Sequence, residues 1–147
     1  MKPGFDAAYE AALKCIARRD HFSGELRSKL VELGFEPEIV ETVLERLIGR
    51  RIIDDRRTLT RLMERASGKR SVGIERFRAE MLSRGAPEMI IEECLVAWSD
   101  QIEADRALAV LTAKKPRDPI RAARYLASKG FDPVLIESVV ERFFNPT

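Results

Sequence analysis

Apolar residues recur at the spacing of an α-helix along the chain. In the first segment, apolar residues follow the helical i, i+3, i+4, i+7 spacing, at Phe5, Ala8, Tyr9, Ala12, Leu13 and Ile16. The same spacing returns around Leu59 and Leu108, and no segment alternates apolar and polar residues as a half-buried strand does. The pattern predicts an all-α protein. It predicts nine helices, at about 6–19, 23–33, 36–49, 55–67, 73–84, 87–98, 100–113, 118–129 and 132–144.

Three glycines mark an internal repeat. Gly34, Gly85 and Gly130 each follow a helical run, and they are separated by 51 and 45 residues. Glycine readily takes the left-handed conformation that ends a helix, and a proline two or three residues later opens the next one. Apolar residues occupy the same positions relative to each glycine. The chain is therefore predicted to hold three three-helix modules, 1–49, 50–98 and 99–147.

A single module of this size is too small to be stable alone. A unit of about 45 residues buries too little of its surface to be secure alone, so neighbouring modules must share apolar contacts. The links at Arg50-Arg51 and Ser99-Asp100 are short and polar, unlike a flexible tether. We expect an elongated array of three tandem modules.

The composition of the chain argues against several classes of protein and of functional site. The chain has 147 residues, 45% of them hydrophobic, which argues against disorder. No apolar run approaches a membrane span and the first residues do not form a signal peptide, so we expect a soluble cytoplasmic protein. His21 is the only histidine, Cys15 and Cys94 fit no metal spacing, and no nucleotide-binding loop occurs. We expect neither catalysis nor a bound metal or cofactor.

The basic residues are unevenly distributed. The formal net charge is +2, but residues 50–84 hold 11 basic and 5 acidic side chains. One row of cations begins on the fourth predicted helix, where three arginines stand four residues apart, and a second row follows in the last third. Such rows can bind phosphates or an acidic protein surface, although a solvated helix face is the competing interpretation. The candidate partner-binding residues are Arg57, Arg61, Arg65, Lys69, Arg70, Arg76, Lys114, Lys115, Arg121 and Arg124.

Other residues that could carry chemistry have simpler structural explanations. Trp98 falls on an apolar column of the repeat, which favours core packing over base stacking. The Asp54-Asp55 pair could hold a metal, but adjacent carboxylates before a helix also complement its positive N-terminal end. His21 lies in a polar turn and is expected at the surface or in a helix cap.

Six segments follow one another along the chain: Arg19–Leu30 (RDHFSGELRSKL), Gly34-Phe35, Ile53-Asp54-Asp55, Gly73–Met81, Gly85 and Arg124–Phe131. This ordered set resembles the RecX family of bacterial recombination regulators. Two residues depart from the family pattern: Thr58 begins a Thr-Leu-Thr where an aromatic-Ala pair is usual, and Ala86 replaces a larger aliphatic residue. The resemblance covers nearly the whole chain, through the order of its segments rather than through one specific motif.

The resemblance implies a three-module helical protein that binds the RecA recombinase filament, and we expect the protein to be a monomer. Members of the family lie in the filament groove, span neighbouring subunits and suppress ATP hydrolysis and strand exchange, in homologous recombination, DNA repair and the SOS response. No cofactor is implied. The basic rows would face acidic RecA surface or the backbone of the enclosed DNA.

Two alternatives remain open. Helix pairs joined by a glycine-containing turn are also the components of a helix-turn-helix, so the chain could be a helical DNA-binding module that acts without RecA, on single- or double-stranded DNA. A structural adaptor unrelated to recombination would have no effect on RecA. The sequence indicates neither the sign of an effect on RecA nor the stoichiometry.

Overall fold

The computed structural model describes residues 4–146, and within that range it contains nine α-helices and no β-strand. The prediction of an all-α protein is confirmed. A short 3₁₀ helix, Gly68–Arg70, follows the fourth α-helix. The helices are α1 Phe5–Arg18, α2 Ser23–Glu32, α3 Pro37–Gly49, α4 Asp55–Arg65, α5 Ile74–Ser83, α6 Glu88–Leu95, α7 Asp100–Lys114, α8 Pro119–Ser128 and α9 Pro133–Phe144.

Buried apolar side chains form three clusters in chain order. The first lies among α1, α2 and α3, the second among α4, α5 and α6, and the third among α7, α8 and α9. Two fully or nearly fully buried residues cross the predicted divisions between modules: Phe22 packs in the second cluster and Ile53 in the first. The module bounds 1–49, 50–98 and 99–147 remain a prediction, and these two side chains show that neighbouring units share their interiors.

The repeat glycines end α2, α5 and α8. Gly34, Gly85 and Gly130 have φ of 96°, 88° and 83°, the left-handed region in which a side chain is strained. Proline is the first residue of α3 and of α9, as predicted, whereas Pro87 precedes the first residue of α6. Proline suits both positions because neither needs its missing N–H.

The second helices of the three units stack end to end. The start of α2 meets the end of α5 where Gly24 faces Gly85, and the start of α5 meets the end of α8 where Gly73 faces Gly130. The Gly73 N–H donates to the carbonyl oxygen of Lys129 at 2.8 Å. At each joint the negative end of one helix dipole faces the positive end of the next, which is favourable. Backbone-to-backbone contacts thus fix the spacing of the units.

The molecule exposes a large surface for its mass. Its accessible surface is 9300 Å², against roughly 7600 Å² for a compact monomer of 16.7 kDa. The excess agrees with an extended array. Among the helices of residues 4–146, none is long and apolar enough to cross a bilayer.

Candidate partner-binding surface

The three arginines that stand four residues apart on α4 all have intramolecular partners. Arg57 donates to the carbonyl oxygens of Arg51 and Ile52 at 3.1 and 3.0 Å. Arg61 and Arg65 each form an ion pair with Asp20 at 3.2 Å. The predicted row on one helix face therefore exists, but its guanidinium groups hold α4 to neighbouring loops. Partner contact by these three residues remains a prediction without structural support.

The joint between the first two units is built around the turn that precedes α2. Phe22 is fully buried in the second cluster. Both the N–H and the hydroxyl of Ser23 donate to the Asp55 carboxylate, at 2.8 and 2.6 Å. Asp54 accepts from backbone N–H groups at the start of its own helix, α4, as the sequence predicted. Asp55 instead caps a helix of the preceding unit, which the sequence did not indicate.

Glu25 lies in the same joint. Its carboxylate accepts from the Phe22 N–H at 3.1 Å and pairs with Arg19 at 3.0 Å and with Arg84 at 3.2 Å. Burial by itself would raise the pKa of Glu25, but the Phe22 hydrogen bond and the two guanidinium groups outweigh it and lower the pKa from its ordinary value. The ionised carboxylate thus stabilises the joint.

The other seven predicted cations all line two grooves that adjoin each other. The first, of about 480 Å³, lies between the second and third units, with Val72 and Val110 among its apolar residues. The second, of about 450 Å³, lies between the end of α7 and α8. Lys114 and Tyr125 line both. The seven predicted residues brought together here are Lys69, Arg70, Arg76, Lys114, Lys115, Arg121 and Arg124.

Lys129 and Tyr125 also belong to this surface, although the rows of cations in the sequence do not include them. The Lys114 and Lys129 ammonium groups lie 5.0 and 5.6 Å from the centre of the Tyr125 ring. Lys129 directly precedes Gly130, and that glycine's close approach to α5 places it in the groove. The place of Lys129 directly before a repeat glycine, which Arg84 shares at Gly85, was the signal that could have identified it.

A buried carboxylate supports the joint beneath the grooves. Glu103, 6% exposed, accepts from the Ile74 N–H at 2.7 Å and so caps α5 from α7. Burial raises its pKa above the ordinary value, the Ile74 hydrogen bond opposes the rise, and nearby Asp132 adds to it. Arg106 lies over the Trp98 ring at 4.3 Å and donates to the Ala66 carbonyl oxygen. Burial lowers the pKa of Arg106.

The arrangement is suited to binding anions. The 450 Å³ groove is lined by five cationic side chains and by no carboxylate, and within residues 4–146 only Arg121 of the five forms an ion pair, with Asp118. An anionic partner would therefore neutralise charges that mostly lack internal compensation. Among residues 4–146, no group of three or more His, Cys, Asp and Glu side chains is placed to hold a metal ion.

Comparisons with known proteins identify the family. A family model described as RecX, first three-helix domain, matches residues 8–47. Regulatory protein RecX of Chlorobium limicola is 30% identical over 144 residues, covering 95% of this chain and 89% of the relative. The Thermus thermophilus protein of the same name is 36% identical over 121 residues, covering 82% and 80%.

Solved structures show the same fold. The crystal structure of RecX from Lactobacillus salivarius superposes with a TM-score of 0.80 at 17% identity, covering 95% of this chain and 96% of that one. A second crystal structure, of a regulatory protein RecX, gives a TM-score of 0.70 at 20% identity and covers 92% and 70%. With the sequence relatives, which are named as regulatory proteins, these findings show that the chain belongs to the RecX family.

Proposed function

We propose that this protein is a negative regulator of the RecA recombinase. It binds the RecA–DNA filament along the filament groove as a monomer and suppresses ATP hydrolysis and strand exchange, without catalytic activity of its own. Family membership supports the proposal. The observation that carries it is the joined pair of basic grooves at the third unit, where seven of the ten predicted cations converge.

The fixed spacing of the units at the two joints provides a mechanism for the proposed inhibition. A ligand shifts a conformational equilibrium only by the difference in its affinity for the two states. The glycine contacts at both joints set the distance between units, so a chain that contacts neighbouring filament subunits favours the filament geometry that matches this distance. In this proposal the favoured filament geometry is one unsuited to ATP hydrolysis and strand exchange.

Four cations of the grooves are the best candidates for direct contact. Lys69 and Arg70 are exposed on the 3₁₀ helix, and Lys115 and Arg124 are exposed beside α8. Within residues 4–146 none of the four has a carboxylate partner. By contrast, Arg76 pairs with Glu80 and Arg121 with Asp118. Unpaired cations lose no internal interaction when they bind an acidic surface or a phosphate.

The test is a titration of DNA-dependent RecA ATPase with this protein. The two groove variants are Lys69→Gln/Arg70→Gln and Lys115→Gln/Arg124→Gln. The matched control, Lys14→Gln/Arg142→Gln, removes two cations outside these grooves. We expect each groove variant to raise the concentration for half-inhibition about tenfold, which is 1.4 kcal/mol, and the control to match wild type.

Two results would contradict the proposal. A wild-type protein that leaves RecA ATPase unchanged refutes the function, and unchanged inhibition by both groove variants excludes the grooves as the contact surface. A titration of added single-stranded DNA at fixed RecA is the further control. Inhibition that excess DNA relieves comes from sequestration of the strand rather than from binding to the filament.

The row on α4 is a poorer target for the same experiment. Reversal of Arg57, Arg61 and Arg65 to Glu should abolish inhibition if these residues contact the partner. It also breaks both pairs with Asp20, so loss of inhibition must be compared with the stability of the joint. Inhibition that survives the triple reversal would exclude the row.

A further inference from the structure

A salt bridge joins the second and third helices in each of the first two units. Arg27 of α2 donates to both carboxylate oxygens of Glu41 on α3, at 2.5 and 3.4 Å. Arg78 of α5 donates in the same way to Glu92 on α6, at 2.7 and 3.4 Å. Both arginines stand seven residues before the repeat glycine of their unit, and both glutamates stand seven residues after it. The bridge is therefore a feature of the repeat.

The third unit keeps the glutamate of this bridge and lacks the arginine. Glu137, on α9, stands seven residues after Gly130, but the residue seven positions before that glycine is Ala123, on α8. Within residues 4–146, no cationic side chain pairs with Glu137, which is exposed. The carboxylate that binds a guanidinium group in the first two units is thus unpaired in the third.

An apolar groove lies between α8 and α9 beside this carboxylate. Its volume is about 550 Å³, and both Ala123 and Glu137 line it. Ile120 and Phe144 are among the other lining residues, and Ile120 is 65% exposed. The counterpart of Ile120 in the second unit is Glu75, which pairs with the bridging arginine of that unit. The third unit therefore exposes apolar surface where the second unit carries ion pairs.

This apolar groove is separate from the two cationic grooves. It shares no lining residue with either of them. Helix α8 contributes Arg121, Arg124 and Tyr125 to the 450 Å³ cationic groove, and Ile120 and Ala123 to the apolar groove. The same helix thus borders two surfaces of different chemistry.

We propose that the apolar groove binds an arginine side chain of a partner protein, on a segment whose neighbouring residues are apolar. In the first two units a guanidinium group of the chain itself fills this position, so the repeat shows which group the carboxylate fits. Arginine suits the site better than lysine because its planar fork binds a carboxylate at two points. The apolar walls can cover the aliphatic stem of that arginine and the residues beside it. The proposal requires neither RecA nor the cationic grooves.

Selection of short random peptides displayed on phage tests the proposal. The target is the wild-type protein, and counter-selection uses the variant Ala123→Arg. This variant supplies the bridging arginine from the chain itself, as in the first two units, and so fills the groove. Circular dichroism and urea unfolding check that each variant folds as wild type. The recovered peptides should share an arginine next to apolar residues.

Fluorescence anisotropy of a labelled recovered peptide then measures the contribution of each group. Glu137→Gln should weaken binding about tenfold or more, because it removes a charge-assisted pair, and Ala123→Arg should abolish binding. The matched controls are Glu45→Gln and Ala127→Arg, at exposed helical positions outside the groove, and both should keep the wild-type affinity. Lysine in place of the peptide arginine should bind more weakly, and glutamine should not bind.

Three results would overturn the proposal: recovery of no peptide, recovered peptides that share no arginine, or an affinity that Glu137→Gln leaves unchanged. Sedimentation equilibrium supplies a fourth. Self-association of the wild-type protein that Ala123→Arg abolishes would assign the groove to a second copy of the chain rather than to a partner. None of these measurements uses RecA, so each outcome leaves the proposed inhibition of RecA to its own test.

Discussion

The joint between the second and third units should be highly sensitive to one methyl group at Gly73. A Cβ built on Gly73 would lie 2.0 Å from the carbonyl oxygen of Gly130 and 2.3 Å from its carbonyl carbon. These are backbone atoms, so no side-chain rotation relieves the overlap. Gly73→Ala must therefore separate α5 from the end of α8.

The cost has two main parts. Overpacking of a closely packed contact costs about 1–3 kcal/mol. Separation of the helices also weakens the 2.8 Å hydrogen bond from the Gly73 N–H to Lys129, worth about 1 kcal/mol. We expect Gly73→Ala to lower the free energy of unfolding by about 2–4 kcal/mol in total. Backbone strain does not contribute, because φ of Gly73 is −70°.

Gly4→Ala is the matched control. Gly4 precedes the first residue of α1 in an extended conformation, as Gly73 precedes α5, and nothing lies within 4 Å of its added Cβ. Gly4→Ala therefore measures the cost of alanine at a helix N-cap that contacts no neighbouring unit. The difference between the two variants isolates the joint.

Urea denaturation followed by circular dichroism gives both free energies, and small-angle X-ray scattering reports whether the folded variant is longer or bent. Gly73→Ala should unfold at lower urea and change the scattering profile, whereas Gly4→Ala should stay near wild type. If the two variants are equally stable within about 0.5 kcal/mol, the contact does not hold the units together and the reasoning is wrong.

Three further predictions concern the joints. Phe22→Ala should lower the free energy of unfolding by about 3–5 kcal/mol in urea denaturation, since this ring is fully buried in the second cluster; a loss below 1 kcal/mol would contradict that packing. The pKa of Glu103 is higher in the folded chain, so stability falls as pH rises above the ordinary value of 4.5, and Glu103→Gln should flatten this dependence in unfolding measured against pH. The pKa of Glu25 is lower in the folded chain, so its contribution is present above pH 4.5 and is lost below it; Glu25→Gln should remove that loss on acidification, and an unchanged acid profile would refute the role.

Local signals in the sequence determined the helices and their ends. These signals are helical periodicity, a glycine after one helix and a proline before the next helix. Each of them acts over a few residues, so each can be recognised without knowledge of the fold. The repeat followed from three glycines in register, because the same local solution recurs at Gly34, Gly85 and Gly130. The resemblance to the RecX family, carried by ordered short segments, was confirmed by the relatives.

The sequence did not predict the contacts between units. The sequence placed Asp54 and Asp55 at the start of one helix, yet Asp55 caps α2, whose first residue lies 32 positions earlier. It also placed Arg61 and Arg65 on one exposed face, where both pair with Asp20. Helical spacing shows which side chains share a face, but not which loop that face meets.

The sequence by itself therefore determined the all-α class, the threefold repeat and the rows of positive charge. Only the tertiary structure decided which of those charges are neutralised inside the joints and which line open grooves. The physical reason is that a helix forms through interactions within a few residues, whereas an ion pair depends on distance in space. That distance is set here by the glycine contacts that bring one unit against the next.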